Sequence, residues 1–377
     1  MSGSLFIGKI SGIKIFIHWT FIFLIGWILM ENVRAGRNIF NFIYTLVFVL
    51  SIFICITLHE LGHALTAKYF HYYTKDITLL PIGGMARMDE IPENPKHELL
   101  VALAGPAVNI LISLLLYPLV YWFGNIPTFL TTLFDSGDTV LFSILTTNLI
   151  LAFFNLIPAF PMDGGRALRA GLSFFTDRVK ATTIAAKIGQ AISILFFFTG
   201  FIFNPFLSVI GIFIFLMAQT ESDYVQSKSL LHDYRVSDVV MKKYFSLHVS
   251  DTISDAVRLL LDVQATGFLI MENNNVVGTL DRDRIIHVLS EQGKDVPLIL
   301  AMNTRLKFLS PEMSLDKIFS EFKSSENAIL PVLQNNELIG VVDLNNILEL
   351  ILSRTAEKNF ADHYQKFIKP KNVVSIK

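Results

Sequence analysis

The hydrophobic and polar positions of the chain fall into two contrasting patterns. Up to residue 224 the sequence consists mostly of long uncharged apolar segments, whereas from Asp233 onward apolar and charged residues mix as in a soluble α/β domain. The first pattern predicts a multi-span α-helical membrane domain. Six spans are expected, at residues 15–30, 39–67, 99–123, 139–161, 188–203 and 205–220.

The last two spans come from one uncharged stretch, residues 188 to 220, which fits either one kinked helix or a hairpin that turns at Asn204-Pro205. Basic residues flank it on both sides, with Arg166, Arg169, Arg178, Lys180 and Lys187 before it and Lys228, Arg235, Lys242 and Lys243 after it. The positive-inside rule places both ends in the cytoplasm, which favours the hairpin. Because Lys9 and Lys14 precede the first span, we expect both termini and the soluble half on the cytoplasmic side of a bacterial or archaeal cell membrane.

Composition narrows the possible partners. The chain of 377 residues has a formal net charge of -1 and contains no basic run or stripe, which argues against a nucleic-acid partner. A single cysteine, Cys55, excludes an intramolecular disulfide. The long apolar segments require the lipid bilayer as a partner.

The strongest chemical signal is the run HELGH, His59 to His63, inside the second predicted span. A helix places residues four apart on one face, so both histidines can bind one Zn²⁺ while Glu60 faces the attacking water. A charged residue at bilayer depth costs about 2.5–3.5 kcal/mol to insert, so Glu60 is expected to serve chemistry or pairing. The run therefore predicts a zinc-dependent hydrolytic site within the membrane, with Glu60 as the general base.

A catalytic zinc of this kind needs a third protein ligand. Asp163 is the strongest candidate, in the run NLIPAFPMDGGR at the cytoplasmic end of the fourth predicted span. The two prolines of this run exclude a regular helix, and such backbone is tolerated at membrane depth only where it lines a protein or water cavity. Cys55 is a rival ligand, because it lies one turn before His59 on the same helix face.

Four runs together resemble the site-2 protease family of intramembrane zinc metalloproteases. They are HELGH, LLPIGGMARMDEIP (Leu79 to Pro92), AGPAVN (Ala104 to Asn109) and NLIPAFPMDGGR (Asn155 to Arg166). The resemblance covers roughly residues 4 to 224. Met162 stands where the family usually has leucine, a change that conserves side-chain volume.

The resemblance implies an activity and assigns the site. The expected reaction is cleavage of a transmembrane segment of another membrane protein, after a first protease has shortened that protein. Asn155 would help to position the substrate or stabilise the oxyanion. The remaining roles would fall to His59, His63 and Asp163 as zinc ligands and to Glu60 as the base.

Residues 4–17 and 76–90 predict short membrane-associated strands, since β-branched and aromatic residues cluster there and Gly83-Gly84 favours a turn. A helical substrate must be unwound before attack, because its own hydrogen bonds shield its peptide bonds. An extended substrate segment could pair with one of these strand edges. Amphipathic strands lying at the membrane interface are an equally open interpretation.

Residues 236–290 and 298–352 look like two copies of one unit, in which NNNVVGTLDRDRII aligns with QNNELIGVVDLNNIL. The order β-α-β-β-α resembles a tandem pair of cystathionine-β-synthase (CBS) domains, which pack into one regulatory module and often bind adenine nucleotides. The whole chain is thus expected to comprise a membrane domain at 1–224, a linker at 225–235, the two repeats, and a C-terminal tail at 353–377.

The repeats depart from the nucleotide-binding pattern of that family. Members that bind nucleotide commonly carry Ser or Thr after the strand glycine and then an Asp that contacts ribose. Here these positions hold Asp281 and Arg284 in the first repeat, and Asp343 and Asn346 in the second. An acid at the first position repels phosphate, which weakens the case for an adenine nucleotide. Homodimerisation, or docking of the substrate's cytoplasmic tail, explains the module equally well.

A CBS-regulated membrane transporter or channel, with HELGH as an ion site, is the alternative function. Transporters usually contain related halves around a site at the bilayer midplane, and residues 1 to 224 show no such repeat. The sequence therefore favours a zinc-dependent intramembrane endopeptidase regulated by its CBS pair.

Overall fold

The computed structural model describes residues 4–36, 38–81, 83–88, 92–123, 140–263, 265–324 and 328–368. The chain separates into two compact units, Met1–Asp223 and Tyr224–Lys377.

The first unit contains a four-stranded sheet, and this confirms the short strands predicted from residues 4–17 and 76–90. Strands β1 and β2 form an antiparallel hairpin, β2 runs parallel to β3, and β3 and β4 form a second antiparallel hairpin. Among the described residues the sheet order is β1-β2-β3-β4, so β1 and β4 are its edges. The strands are β1 (Ser4–Ile10), β2 (Ile13–His18), β3 (Thr74–Leu80) and β4 (Gly83–Met88).

Among the residues described, seven helices lie wholly or mainly in the first unit. Four of them, α2, α3, α6 and α7, are long and apolar enough to cross a membrane, and α4 is a shorter apolar helix. The helices are α1 (Phe21–Arg34), α2 (Ile39–Tyr69), α3 (Pro95–Phe123), α4 (Val140–Asn155), α5 (Asp163–Leu172), α6 (Arg178–Phe203) and α7 (Pro205–Leu231).

The prediction of six spans is not confirmed. The first predicted span, residues 15–30, is not one helix, because its first residues pair with β3 as part of β2. The remainder forms α1, whose 14 residues extend only about 21 Å at about 1.5 Å per residue. The fourth predicted span, 139–161, ends as a helix at Asn155, before the two prolines of the following segment.

The stretch from residue 188 to 220 forms a hairpin, as predicted. Asn204 separates α6 from α7, and the Ser208 hydroxyl donates back to the carbonyl of Phe197 at 2.8 Å. Gly211 lets the two helices approach closely, because a Cβ there would lie 2.8 Å from the carbonyl oxygen of Ser193. Helix α7 continues to Leu231 and therefore covers most of the segment assigned to a linker.

The second unit contains two β-hairpins, one in each predicted repeat. The first repeat adds a third strand, β5, parallel to β6. Each hairpin turns on two asparagines with positive φ, 50° and 64° in the first and 52° and 66° in the second. Asparagine tolerates this left-handed conformation, which matches the twist of antiparallel strands. The strands are β5 (Ser246–His248), β6 (Gly267–Glu272), β7 (Asn275–Asp281), β8 (Ile329–Gln334) and β9 (Glu337–Asp343).

The leading segment of each repeat packs in the hydrophobic core of the other repeat. Val236 and Val239, at the start of the first repeat, pack in the core of the second with Val342. Leu298 and Ala301, at the start of the second repeat, pack in the core of the first. The two repeats consequently form one module. Its helices are α8 (Ile253–Val263), α9 (Arg282–Gln292), α10 (Leu298–Ala301), α11 (Leu315–Ser324) and α12 (Leu344–Ile368), with a short 3₁₀ turn at Val236–Asp238.

Candidate metal centre

Helix α2 places the two histidines of HELGH on one buried face. The helix runs without interruption for 31 residues, and the Asn38 side chain caps its start by accepting from the Asn41 amide at 3.0 Å. His59 and His63 lie one turn apart, and their Nε2 atoms are 3.1 Å from each other. Only 6% of His59 and 5% of His63 are exposed.

Asp163 reaches these histidines from the first residue of α5. The seven residues before it do not form a helix, and two glycines fold them tightly against α5. A Cβ on Gly164 would collide with the carbonyl of Ile157, and one on Gly165 would collide with the backbone of Ala159. The result is that Asp163 Oδ2 lies 3.2 Å from Nε2 of each histidine.

The three side chains fit a divalent metal such as zinc. Their donor atoms are 3.1–3.2 Å apart, close to the roughly 3.3 Å that separates ligand atoms in a tetrahedral site with bonds of about 2.0–2.1 Å. In the described part of the chain, this is the one cluster of three or more His, Cys, Asp or Glu side chains that could hold a metal ion. Cys55 is buried in α2 and is not part of the cluster, so the structure favours Asp163 over Cys55 as the third ligand.

Helix α3 shapes the other side of the site. His63 Nδ1 lies 2.7 Å from the carbonyl oxygen of Val101, and because a carbonyl only accepts, Nδ1 donates and Nε2 keeps its lone pair for a metal. Gly105, one turn further along α3, faces the donor atoms. A Cβ at Gly105 would collide with His63 Nε2 and lie 2.7 Å from His59 Nε2. The space for an ion exists because position 105 has no side chain.

Glu60 lies beside the cluster and under the sheet. A Cβ on Gly84 of β4 would lie 2.7 Å from Glu60 Cγ and 3.1 Å from Ile56 Cγ2, so the edge strand passes directly over the carboxylate-bearing side chain. This arrangement brings a sheet edge, a candidate general base and a candidate metal site together in one place.

The structure places Asn155 at the last residue of α4, where it is half-buried. Its amide donates to the carbonyl of Leu151 in the same helix at 3.0 Å. The contacts that join the two histidines to Asp163 do not include Asn155. Its role toward the substrate stays a prediction.

The sequence alone gives no reason to select Val101 or Gly105 as part of the site. The run AGPAVN pointed to this part of α3, but a glycine in a helix gives no sign of which neighbour occupies the space next to it. The carbonyl of Val101 is a backbone group, and any residue type supplies one. Only the packing of α3 on α2 reveals both contributions.

Comparisons with known proteins identify the family of each half of the chain. Residues 47–196 match Peptidase family M50, and residues 236–291 and 294–353 match the CBS domain. The chain is 31% identical over 355 residues to a zinc metalloprotease of Methanocaldococcus jannaschii, a match that covers 92% of this chain and 96% of that protein. It is also 25% identical over 250 residues to stage IV sporulation protein FB of Bacillus subtilis, covering 63% of this chain and 82% of that protein.

Among solved structures, the chain is similar to the site-2 protease from Methanocaldococcus jannaschii. The two are 36% identical, the match covers 58% of this chain and 95% of that chain, and the TM-score is 0.43.

Fold, site and relatives together define an integral-membrane metallopeptidase. The chain belongs to Peptidase family M50, the site-2 proteases, as a zinc metalloprotease that carries a tandem pair of CBS domains. The family, the zinc and the CBS pair predicted from the sequence are thus confirmed. Membership of a protease family decides against the transporter or channel alternative.

Proposed function

We propose that this protein cleaves a peptide bond in a transmembrane segment of another membrane protein, at a zinc ion ligated by His59, His63 and Asp163. One observation carries the proposal. Donor atoms from α2 and α5, which are separated by 100 and 104 residues in the chain, converge to within 3.2 Å of one another inside a membrane-spanning unit. An acid and two imidazoles are costly to bury at membrane depth, and one metal ion that contacts all three donor atoms would offset this cost.

Each residue has a defined task in this mechanism. When bound, zinc supplies Lewis acidity to the substrate carbonyl and lowers the pKa of a water molecule. Glu60 removes a proton from the attacking water and then delivers it to the leaving amine. His63 is held in the required tautomer by the Val101 carbonyl. Asn155 is proposed to hold the substrate or to donate to the oxyanion.

We further propose that the substrate is held as an extended strand on β4. Strand β4 pairs with β3 on one side and is an edge of the sheet on the other. Main-chain hydrogen bonds to such an edge keep a segment unwound, which exposes the peptide bond that a helix would shield. Because Gly84 lies against Glu60, a segment paired there would run past the proposed base.

We also propose how the substrate is prepared and how the protein is oriented in the membrane. We infer that a first protease shortens the substrate, since bulky outer domains would obstruct lateral entry to a site within the membrane. We place both termini and the CBS pair in the cytoplasm, on the basis of the flanking lysines and arginines. The proposed boundaries are a membrane domain at 1–224, a linker at 225–235, repeats at 236–290 and 298–352, and a tail at 353–377, of which residues 369–377 lie outside the described residues.

For the CBS pair we propose regulation through dimerisation or through docking of the substrate's tail. Asp281 and Asp343 cap helices α9 and α12 by accepting from the backbone amides of Arg284 and Asn346, each at 2.7 Å. The side chains of Arg284 and Asn346 donate to backbone carbonyls, at 3.1 and 3.3 Å. The side chains at the positions that bind ribose in nucleotide-binding members are therefore engaged with the protein's own backbone, which weakens the case for an adenine nucleotide.

The substitution Glu60→Gln tests the catalytic proposal. In full-length protein reconstituted with a membrane-tethered test substrate, we expect wild-type zinc content and a loss of cleavage of at least about a hundredfold. Glu31→Gln, which alters an exposed carboxylate on α1, is the matched control and should cleave normally. Cleavage by Glu60→Gln at the wild-type rate would refute the proposed role of this carboxylate.

A further inference from the structure

A second group of buried charges lies in the membrane unit, on the same helix as Asp163. Arg169, six residues after Asp163 on α5, is completely buried. Its Nε and Nη2 donate to Glu98 Oε1 at 2.8 and 2.5 Å, and its Nη1 donates to Glu221 Oε1 at 2.5 Å. The guanidinium also lies over the ring of Phe160, 5.1 Å from its centroid. One side chain of α5 thus contacts residues of α3 and α7.

The cluster contains a second arginine. Arg178, at the start of α6, lies with Nη1 3.4 Å from Glu98 Oε2, so two guanidinium groups face two carboxylates. Glu98 is buried and Glu221 is partly exposed. Buried ions are tolerated when each has a partner of opposite charge, and here Glu98 Oε1 accepts both of its hydrogen bonds from Arg169, while Oε2 faces Arg178 without a hydrogen bond.

The charged cluster connects two of the elements that form the candidate metal centre. Glu98 stands one turn before Val101, whose carbonyl orients His63. Arg169 stands on the short helix that begins with Asp163, after a segment that is not helical. The Arg169–Glu98 pair therefore ties the element that supplies the third ligand to the element that orients the second.

We propose that Arg169 is a positioning residue of the metal centre. Its fork of N–H donors fixes α5 against α3 and thereby sets the position of Asp163 Oδ2 relative to the two histidine Nε2 atoms. This inference rests on the proposed ligand set. Lysine cannot replace arginine here, because a single ammonium group cannot repeat three N–H bonds in fixed directions to two carboxylates.

The test uses full-length protein in detergent, loaded with Co²⁺ as a spectroscopic probe. The measurements are the visible absorption of the bound Co²⁺, its rate of loss to a chelator, the thermal unfolding temperature, and kcat and KM on a tethered substrate. For Arg169→Lys we expect Co²⁺ loss at least about tenfold faster, an altered visible spectrum, and a lower kcat with KM within about twofold. Glu221→Gln removes only the partly exposed partner, and its rate of loss should fall between wild type and Arg169→Lys.

Ser208→Ala is the matched control, since it removes a contact between α6 and α7 without touching α5. It should keep the wild-type Co²⁺ spectrum and rate of loss even if the unfolding temperature falls. If Arg169 has a purely structural role, Arg169→Lys will also keep the wild-type Co²⁺ spectrum and rate of loss while its unfolding temperature falls. That result overturns the proposal. If Arg169→Lys does not fold, a wild-type spectrum and rate of loss in Glu221→Gln overturn it instead.

The Asp163→Ala protein separates this inference from the proposed function. If Asp163→Ala keeps the wild-type Co²⁺ spectrum, the ligand set itself is wrong. If Asp163→Ala loses that spectrum while Arg169→Lys retains it, the ligand set stands and only the positioning role of Arg169 fails.

Discussion

The backbone carbonyl of Val101 accepts a hydrogen bond from His63 Nδ1 at 2.7 Å. This contact joins α3 to α2 and decides which nitrogen of the imidazole faces Asp163. Partners of this kind orient metal ligands and raise their basicity. The second histidine of HELGH thus directs Nε2 toward Asp163 because of a residue 38 positions further along the chain.

Asp163→Ala should abolish stoichiometric zinc binding, because two imidazoles alone lack the third protein ligand that catalytic zinc sites of this type use. Zinc content per purified protein, measured by elemental analysis after dialysis, is the test. Cys55→Ala should retain wild-type zinc, since Cys55 lies outside the cluster of donor atoms. The opposite outcome, zinc retained without Asp163 and lost without Cys55, would make Cys55 the third ligand.

Gly105→Ala should lower the affinity for zinc by at least about tenfold, since the added methyl group occupies the space between the two histidine Nε2 atoms. Competition with a chelator of known affinity measures the effect. Gly26→Ala is the matched control, because a Cβ at this helical glycine meets nothing within 4 Å. Equal zinc affinity in both variants would show that position 105 does not border the metal.

Gly84→Ala should reduce kcat by about ten- to a hundredfold while zinc content stays at the wild-type level. The new Cβ would contact Glu60 Cγ and displace the proposed base from its working position. Gly8→Ala, on the other edge strand of the sheet, adds the same group in open space and should leave kcat unchanged. Loss of zinc together with activity in Gly84→Ala would contradict the assignment of this effect to the base.

Asp343→Ala should destabilise the second CBS repeat by about 1 kcal/mol, because α12 loses its N-terminal cap. The carboxylate also accepts a hydrogen bond from the Thr266 hydroxyl at 3.0 Å, so the first repeat loses a contact as well. Limited proteolysis of the full-length protein, with cleavage sites mapped by mass spectrometry, should show roughly fivefold faster cleavage in this unit. Glu349→Ala, at an exposed position in the second turn of α12, should cleave at the wild-type rate.

The burial and pairing of Arg169 could not be predicted from the sequence. As one of several basic residues before a predicted span, Arg169 indicated a cytoplasmic loop. The structure instead buries its side chain completely between α3 and α7. A charge near an apolar segment looks the same in sequence whether it is solvated or paired, since its partners here are 71 and 52 residues away.

Features that depend on residues close together in the chain could be predicted from the sequence alone. The spacing of His59 and His63 follows the turn of a helix, the length of an apolar run follows the thickness of a bilayer, and an Asn-Asn pair favours a tight turn. The two CBS repeats were visible because one pattern occurs twice. Each of these depends on the order of neighbouring residues, which the sequence displays directly.

Tertiary structure decided the remaining features, because they depend on residues that meet only after folding. Pairing of β2 with β3 removed residues from the first predicted span, and the approach of α5 to α2 brought Asp163, not Cys55, to the two histidines. The packing of α3 placed Gly105 against the Nε2 atoms of both histidines and a backbone carbonyl against His63 Nδ1. Close packing and buried hydrogen bonds between distant segments set these distances to within an ångström, and no local pattern in the chain encodes them.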